Sequence, residues 1–340
     1  MRLSIIIPLY NVQGFVGQCI QSILGQNLSP NDYEIVVIDD GSTDNSVSVV
    51  KAFQEENHNI FIYHQENSGV GSARNKGLSL AKGQYVYFID PDDYLANNVL
   101  NPILEYAEKY HLQVSTFSSK ITTNRKLDIC NFNHIESQPV KILSGMDYIG
   151  EMRYKNEVWW YITERTFLQD IELEFIMGRW MEDAIFTTNL LLKANRVAYL
   201  HIDAHRYVTV ENSAMTSKEP QHYINVIYDN SNAAKVFNGL IQVAKHSKPF
   251  NGASVNRLKE RQQSFVFFMM IRILKSKITF REVKEIMESM VKINVYPLNT
   301  FSKKDYTAIE YKILVRLFNI RHLYYALFLI LNPFLKRINR

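Results

Sequence analysis

Three carboxylates fall within four residues at Asp90-Pro91-Asp92-Asp93, directly after the apolar run Tyr85-Val86-Tyr87-Phe88-Ile89. A β-prone segment that stops in clustered acids delivers them to the exposed end of a sheet. Hard divalent cations such as Mn²⁺ or Mg²⁺ take several oxygen ligands at once, and acids this close repel one another unless a positive charge lies between them. The competing reading is an acidic turn that caps the next helix, with Asp93 or Asn97 near its start.

Two further segments could do chemistry. Asp39-Asp40-Gly41-Ser42-Thr43-Asp44 follows a strand pattern and precedes a helical one. A carboxylate there can accept hydrogen bonds from a nucleobase edge or a ribose, although a turn with a helix N-cap would use the same residue types. Gly69-Val70-Gly71-Ser72-Ala73-Arg74-Asn75 is glycine-rich and enters a helix. It is a poor dinucleotide fingerprint, because Arg74 occupies the third glycine position and the segment does not follow the first strand. A tight loop that lets the Arg74 guanidinium approach a nucleotide fits better. His201 and His205 have the i, i+4 spacing of a helical zinc pair, but their surroundings are β-prone and no third ligand is evident.

These segments need a scaffold, and the first hundred residues supply one. Apolar strands are expected at Ser4–Pro8, Tyr33–Ile38, Ile60–Tyr63 and Tyr85–Ile89. Helices are expected at Phe15–Leu24, from Asp44 or Ser46 to about Glu55, and at Gly71–Leu80. Continuous apolar strands interleaved with helices imply an α/β fold whose mostly parallel sheet is covered on both faces, with ligands beyond the carboxyl ends of the strands. The polar segments collect at those ends. Later, Val99–Tyr110 and Ala184–Ala194 read as helices, and Gln113–Ser118 and Tyr199–Val208 as strands. Residues 120–144 carry no assignable pattern, and from Gln221 onward the pattern is helical.

Ser4-Ile5-Ile6-Ile7-Pro8-Leu9-Tyr10-Asn11, Val37 to Asp44, Asn67 to Asn75 and Asp90 to Asp93 together resemble, in order, the signature of family 2 glycosyltransferases with the GT-A fold, a Rossmann-like sheet flanked by helices. The resemblance is strongest over residues 1–120. It implies a nucleotide-diphosphate sugar donor, usually a UDP-sugar, and inversion at the anomeric carbon. Pro8, Tyr10 and Asp40 would line the nucleobase pocket and Arg74 would reach the nucleotide. Asp90 and Asp92 would form the D-x-D element, with Asp92 the direct ligand of Mn²⁺ or Mg²⁺. Proline at 91 replaces the family's usual serine, which stiffens the turn and leaves both acids in place. Glu182-Asp183 resembles the family's E-D pair, which makes Asp183 the base for the acceptor hydroxyl and Glu182 its support; an acidic helix start is the plainer alternative. In the loop after that helix, His205, Arg206 and Ser213 are candidates to approach the diphosphate, His205 also as a further metal ligand. Trp180 and Trp160 are acceptor candidates because indole faces suit sugars, and core packing is the alternative use.

The chain has 340 residues, 46% of them hydrophobic, a net charge of +4 and two cysteines. That balance excludes a polybasic nucleic-acid binder and a disulfide framework, and fits a reducing cytoplasm. The expected organisation is a catalytic domain at 1–215, with 1–120 binding the nucleotide sugar and 121–215 forming the acceptor side. A helical extension at 216–340 completes it. Basic residues interleaved with apolar ones over 311–340 suit a helix on the inner face of the cell membrane, against the alternative of packing on the protein or on a second copy. The expected function is transfer of a sugar to a saccharide or lipid-linked saccharide in surface polysaccharide synthesis. A nucleotidyltransferase and a catalytically silent nucleotide-sugar binder are the alternatives.

Overall fold

The computed structural model describes residues 1–126, 129–130, 139–152, 154–209, 219–301 and 306–338. The chain divides into two compact units, one of residues 1–148 with 154–211 and the other of residues 149–153 with 212–340.

In the first unit strands and helices alternate: β1 (Leu3–Leu9), α1 (Val16–Leu24), β2 (Tyr33–Asp39), α2 (Ser46–Glu56), β3 (Ile60–His64), α3 (Val70–Leu80) and β4 (Tyr85–Phe88). A short β5 (Tyr94–Leu95), α4 (Leu100–Lys109), β6 (Val114–Thr122), β7 (Ile142–Leu143) and α5 (Gly145–Glu151), whose residues 149–151 are counted with the second unit, follow. Then come β8 (Tyr161–Glu164), α6 (Arg165–Asp170), α7 (Glu182–Lys193) and β9 (Val197–Val208). The strands form one sheet in the order β3-β2-β1-β4-β8-β6-β9-β5, with β7 paired to β9. The block β3-β2-β1-β4 is wholly parallel. Beyond it β8 runs antiparallel to both β4 and β6, while β6 and β9 are parallel.

Every residue of β1 and β2 is buried, as expected for strands covered on both faces. On one face α1 and α4 join the strands in a single core around Ile5, Ile7, Ile20, Val37 and Ile103. On the other, α3 lies so close that a Cβ on Gly77 would sit 2.4 Å from Ile6 Cγ2. Helix α2 starts at Ser46 and not at Asp44, because the Asp44 carboxylate turns back to accept from the Ser46 amide at 2.9 Å.

The second unit contains α8 (Pro220–His246), α9 (Gly252–Lys275), α10 (Phe280–Lys292), α11 (Ile309–Asn319) and α12 (Arg321–Ile338). Helix α10 begins with a complete capping box, in which Thr279 and Glu282 each bond the other's backbone amide.

Candidate active site

The carboxyl ends of β1, β2 and β4 bring the first motifs to one edge of the sheet. Asp40 is buried, and its carboxylate is fully engaged. Oδ1 accepts from Gln65 Nε2 at 2.7 Å and Ser68 N at 2.9 Å, and Oδ2 accepts from Gly69 N at 2.9 Å. It therefore holds the glycine-rich loop against the end of β2. Its neighbour Asp39 accepts from Ser42 N and pairs with His64 Nδ1, both at 3.0 Å. Those bonds outweigh the effect of burial and hold Asp39 below the usual carboxylate range. Asn11, in the left-handed region at φ 50°, accepts from Thr43 N at 2.8 Å and closes the same edge. Pro8 is buried within β1, and Tyr10 is exposed beyond its end.

Arg74 does something the motif did not reveal. It is buried under the site, with Nη2 on Asp90 Oδ1 at 2.9 Å and Nη1 on Glu182 Oε1 at 2.8 Å. Its guanidinium lies 5.4 Å from the centre of the Phe175 ring. One side chain thus ties the acid loop after β4 to the first turn of α7. Gly71, one turn earlier on α3, leaves room for this approach. A Cβ there would meet Ile176 O at 2.7 Å and Glu182 Cγ at 3.5 Å.

Glu182 and Asp183 occupy the first turn of α7, directly after Met181, whose backbone is left-handed at φ 69°. A non-glycine residue in that region is strained, and such strain collects at functional sites. Asp183 Oδ1 accepts from Ala184 N at 2.7 Å. Burial, then the charges of Glu182 and Glu157, push its pKa up to about 8. Burial also raises Glu182, against the pull of Arg74. Glu157 is an acid the sequence did not single out. Its backbone carbonyl is held to α7 by Thr187 Oγ1 at 3.2 Å, one turn beyond Asp183.

Within the acid cluster, Asp92 is half-buried, and burial, then Asp90 and Asp93, lift its pKa to about 7. A carboxylate under that repulsion, beside a second one, is a hard-oxygen set suited to Mn²⁺ or Mg²⁺. Asp93 faces inward instead. Its Oδ1 accepts from Val208 N at 2.8 Å, fastening the end of β9. Its Oδ2 lies 3.2 Å from His205 Nε2 without the alignment of a hydrogen bond. Burial lifts Asp93 to about 9 and lowers His205 to about 3, so the pair avoids buried charge.

Burial places three further candidates inside the fold. His205 is enclosed, with Nδ1 on Ser119 Oγ at 2.9 Å, Nε2 turned to Asp93 and its ring stacked 4.2 Å from Trp159. Its Nδ1 is taken by Ser119, and among the described residues no group of three or more His, Cys, Asp or Glu side chains is placed to hold a metal ion. Arg206 is also enclosed, with Nη1 on Asp203 Oδ1 at 2.8 Å and Nη2 on Ile129 O at 2.9 Å. Trp160 is a core residue, 2% exposed, whose Nε1 donates to Glu157 O. Trp180 is half-buried, one residue before Met181. Ser213 lies outside the described residues.

Comparison with known proteins agrees with this architecture. The family model described as "Glycosyl transferase family 2" matches residues 4–154. The uncharacterized glycosyltransferase EpsJ of Bacillus subtilis (strain 168) is 32% identical over 222 residues, which cover 64% of this chain and 63% of EpsJ. This chain thus spans less than two thirds of that relative's length. The crystal structure of S. aureus TarS 1-349 in complex with UDP-GlcNAc superposes with a TM-score of 0.70 at 20% identity, covering 96% of this chain and 90% of that one. The mannosyltransferase PcManGT of Pyrobaculum calidifontis, in complex with GDP-Man and Mn2+, superposes with a TM-score of 0.56 at 14% identity, covering 94% and 87%. At those identities the superpositions establish the fold, which is GT-A with a helical C-terminal region.

Proposed function

We propose, from the match of residues 4–154 to the glycosyl transferase family 2 model, that the protein is a metal-dependent inverting glycosyltransferase. It moves a sugar, hexosyl or N-acetylhexosaminyl, from a nucleotide-diphosphate donor, a UDP-sugar, to a saccharide or lipid-linked saccharide in surface polysaccharide synthesis. Residues 1–215 form the catalytic domain, with 1–120 on the donor side and 121–215 on the acceptor side, and 216–340 are its extension. The observation that carries this reading is the chain Asp90–Arg74–Glu182, which fixes the acid loop and the start of α7 to one another through bonds of 2.9 and 2.8 Å.

Pro8, Tyr10 and Asp40 border the nucleobase pocket, and the Asp40-held loop gives it a fixed wall. Asp92, with Asp90, would hold Mn²⁺ or Mg²⁺, which when bound offsets charge on the departing diphosphate. Asp183 takes the proton of the acceptor hydroxyl. Its elevated pKa of about 8 suits that role, since a base works best when its pKa lies near the operating pH. Glu182, pinned by Arg74, keeps the neighbouring carboxylate oriented. Trp180 offers the acceptor a ring at the entrance to α7. The two complexes described above support a nucleotide-sugar donor, and one of them a divalent cation.

The test is a donor screen. Purified protein is incubated with Mn²⁺ and UDP-, GDP- and TDP-sugars while thermal stability and nucleotide release are followed. Stabilisation by one donor, abolished by EDTA or by Asp92→Ala, is expected. Release of pyrophosphate in place of a nucleoside diphosphate would make the protein a nucleotidyltransferase. Donor binding that tolerates Asp92→Ala would remove the metal assignment.

A further inference from the structure

Helices α11 and α12 form a bent pair, turned by 103° where one gives way to the other. Among the described residues no single helix is long and apolar enough to cross a membrane, and this pair reaches that composition only jointly. One side of each helix is committed to the fold. Val315, Phe318, Tyr324 and Phe328 are buried, and the Tyr324 hydroxyl donates to Met270 O at 3.1 Å.

The opposite side is apolar too. On α11 and just beyond its end, Ile309, Ile313, Leu317 and Ile320 recur at helical spacing, and all four are exposed, Ile309 by 64%. On α12, Leu329, Ile330, Leu331 and Phe334 are exposed, Phe334 by 65%. Exposed apolar stripes of this kind mark a surface that meets something other than water.

Charge identifies the occupant. From Lys312 to Arg340 the sequence has six lysines and arginines and no acid. Lys312 and Arg316 are exposed and each precedes a member of the α11 stripe. A second source of charge is visible only in the fold. Asn332 sits buried in the apolar run of α12, and its Nδ2 donates to Leu274 O at 3.2 Å and Ser276 O at 2.7 Å. That clamp holds the end of α9 and the turn after it, which carry the exposed Lys275 and Lys277, against α12.

We propose that the outer face of α11 and α12, together with Lys275 and Lys277, seats on an anionic lipid surface, with both helices in the interfacial plane. Aliphatic side chains enter the headgroup boundary while lysines and arginines meet lipid charge. A second copy fits less well, because a two-fold contact would oppose the same cations across the interface. The inference stands apart from the catalytic reading, since it uses no residue of the site.

The experiment is co-sedimentation of the full chain with phosphatidylcholine vesicles, with and without phosphatidylglycerol. Two double variants are compared, Ile330→Glu with Phe334→Glu and Lys275→Glu with Lys277→Glu. All four positions are exposed, and circular-dichroism melting checks that the variants remain folded. The wild type is expected on anionic vesicles only, with binding that falls as salt rises. Each double variant is expected to lose at least roughly tenfold in partitioning. Absence of wild-type binding, or equal binding by the folded variants, overturns the proposal. So does a concentration-dependent dimer that Ile330→Glu with Phe334→Glu dissolves, because that gives the face to a second copy.

Discussion

Asn75 grips the backbone of Phe175 from both sides, its Nδ2 donating to Phe175 O at 2.9 Å and its Oδ1 accepting from Phe175 N at 2.8 Å. One amide side chain on α3 thereby anchors the start of the loop that ends at Met181 and the acids of α7. Asn75→Ala leaves both backbone groups without this partner and is expected to cost about 1–3 kcal/mol. Urea unfolding would read this as a lower midpoint at constant slope. An unchanged midpoint would mean that water or a neighbour replaces the amide.

Arg74 is the more severe case. Removing it strands Glu182, whose side chain is 6% exposed, and also frees Asp90. Arg74→Met is expected to destabilise the fold by about 3–5 kcal/mol, because it leaves a buried charge uncompensated. Adding Glu182→Gln should recover part of the loss. A double-mutant cycle with no coupling energy would show that the pair is not energetically linked.

Asp183→Asn should keep donor binding and lose transfer by about 10²–10⁴-fold, the range a positioned base contributes. Calorimetric titration with UDP and single-turnover assays separate the two effects. Near-wild-type turnover would take Asp183 out of the base role.

Stability should fall as pH rises from 6.5 to 8 in protein without divalent ions. Asp92 and Asp183 are raised from 3.8 to about 7 and about 8, so in this window the folded state holds protons that the unfolded chain has released. His205, lowered from 6.5 to about 3, works the other way: its contribution rises until the unfolded imidazole is deprotonated, about one unit above 6.5, and offsets only part of the fall at the low end of the window. Thermal midpoints across that range give the sign directly. A flat or rising profile would mean that these acids ionise normally in the fold.

Much of the donor side was legible in the sequence because its motifs are local. The alternation of apolar strand and helix gave the β3-β2-β1-β4 block, and the acids lie at the strand ends as expected. The pairing of Arg74 was not legible for a reason of distance. Its partner Glu182 is 108 residues away, and no spacing rule reports which cation a remote acid will meet. The burial of His205 and Arg206 was not legible because it depends on β9 lying inside the sheet, between β6 and β5. Adjacent residues of such a strand are buried on opposite faces, so polar side chains there must find partners within the protein. Trp160 shows the same limit, since an indole's type says nothing of whether core or ligand covers it. The Asn332 clamp was equally silent, for it reads as one polar residue in an apolar helix.

Asp40 has a last consequence, for the thermodynamics of donor capture. Its carboxylate already fixes Gln65, Ser68 and Gly69 with three bonds between 2.7 and 2.9 Å. The ordering entropy of that loop is therefore spent during folding and not during association. On the proposed donor reading a nucleotide would meet a rim already ordered, so its arrival would resemble docking more than induced fit, with little affinity lost to immobilising the backbone. Substituting Asp40 would, on the same reading, shift that cost onto donor binding and weaken it even where the lost side chain never touches the ligand.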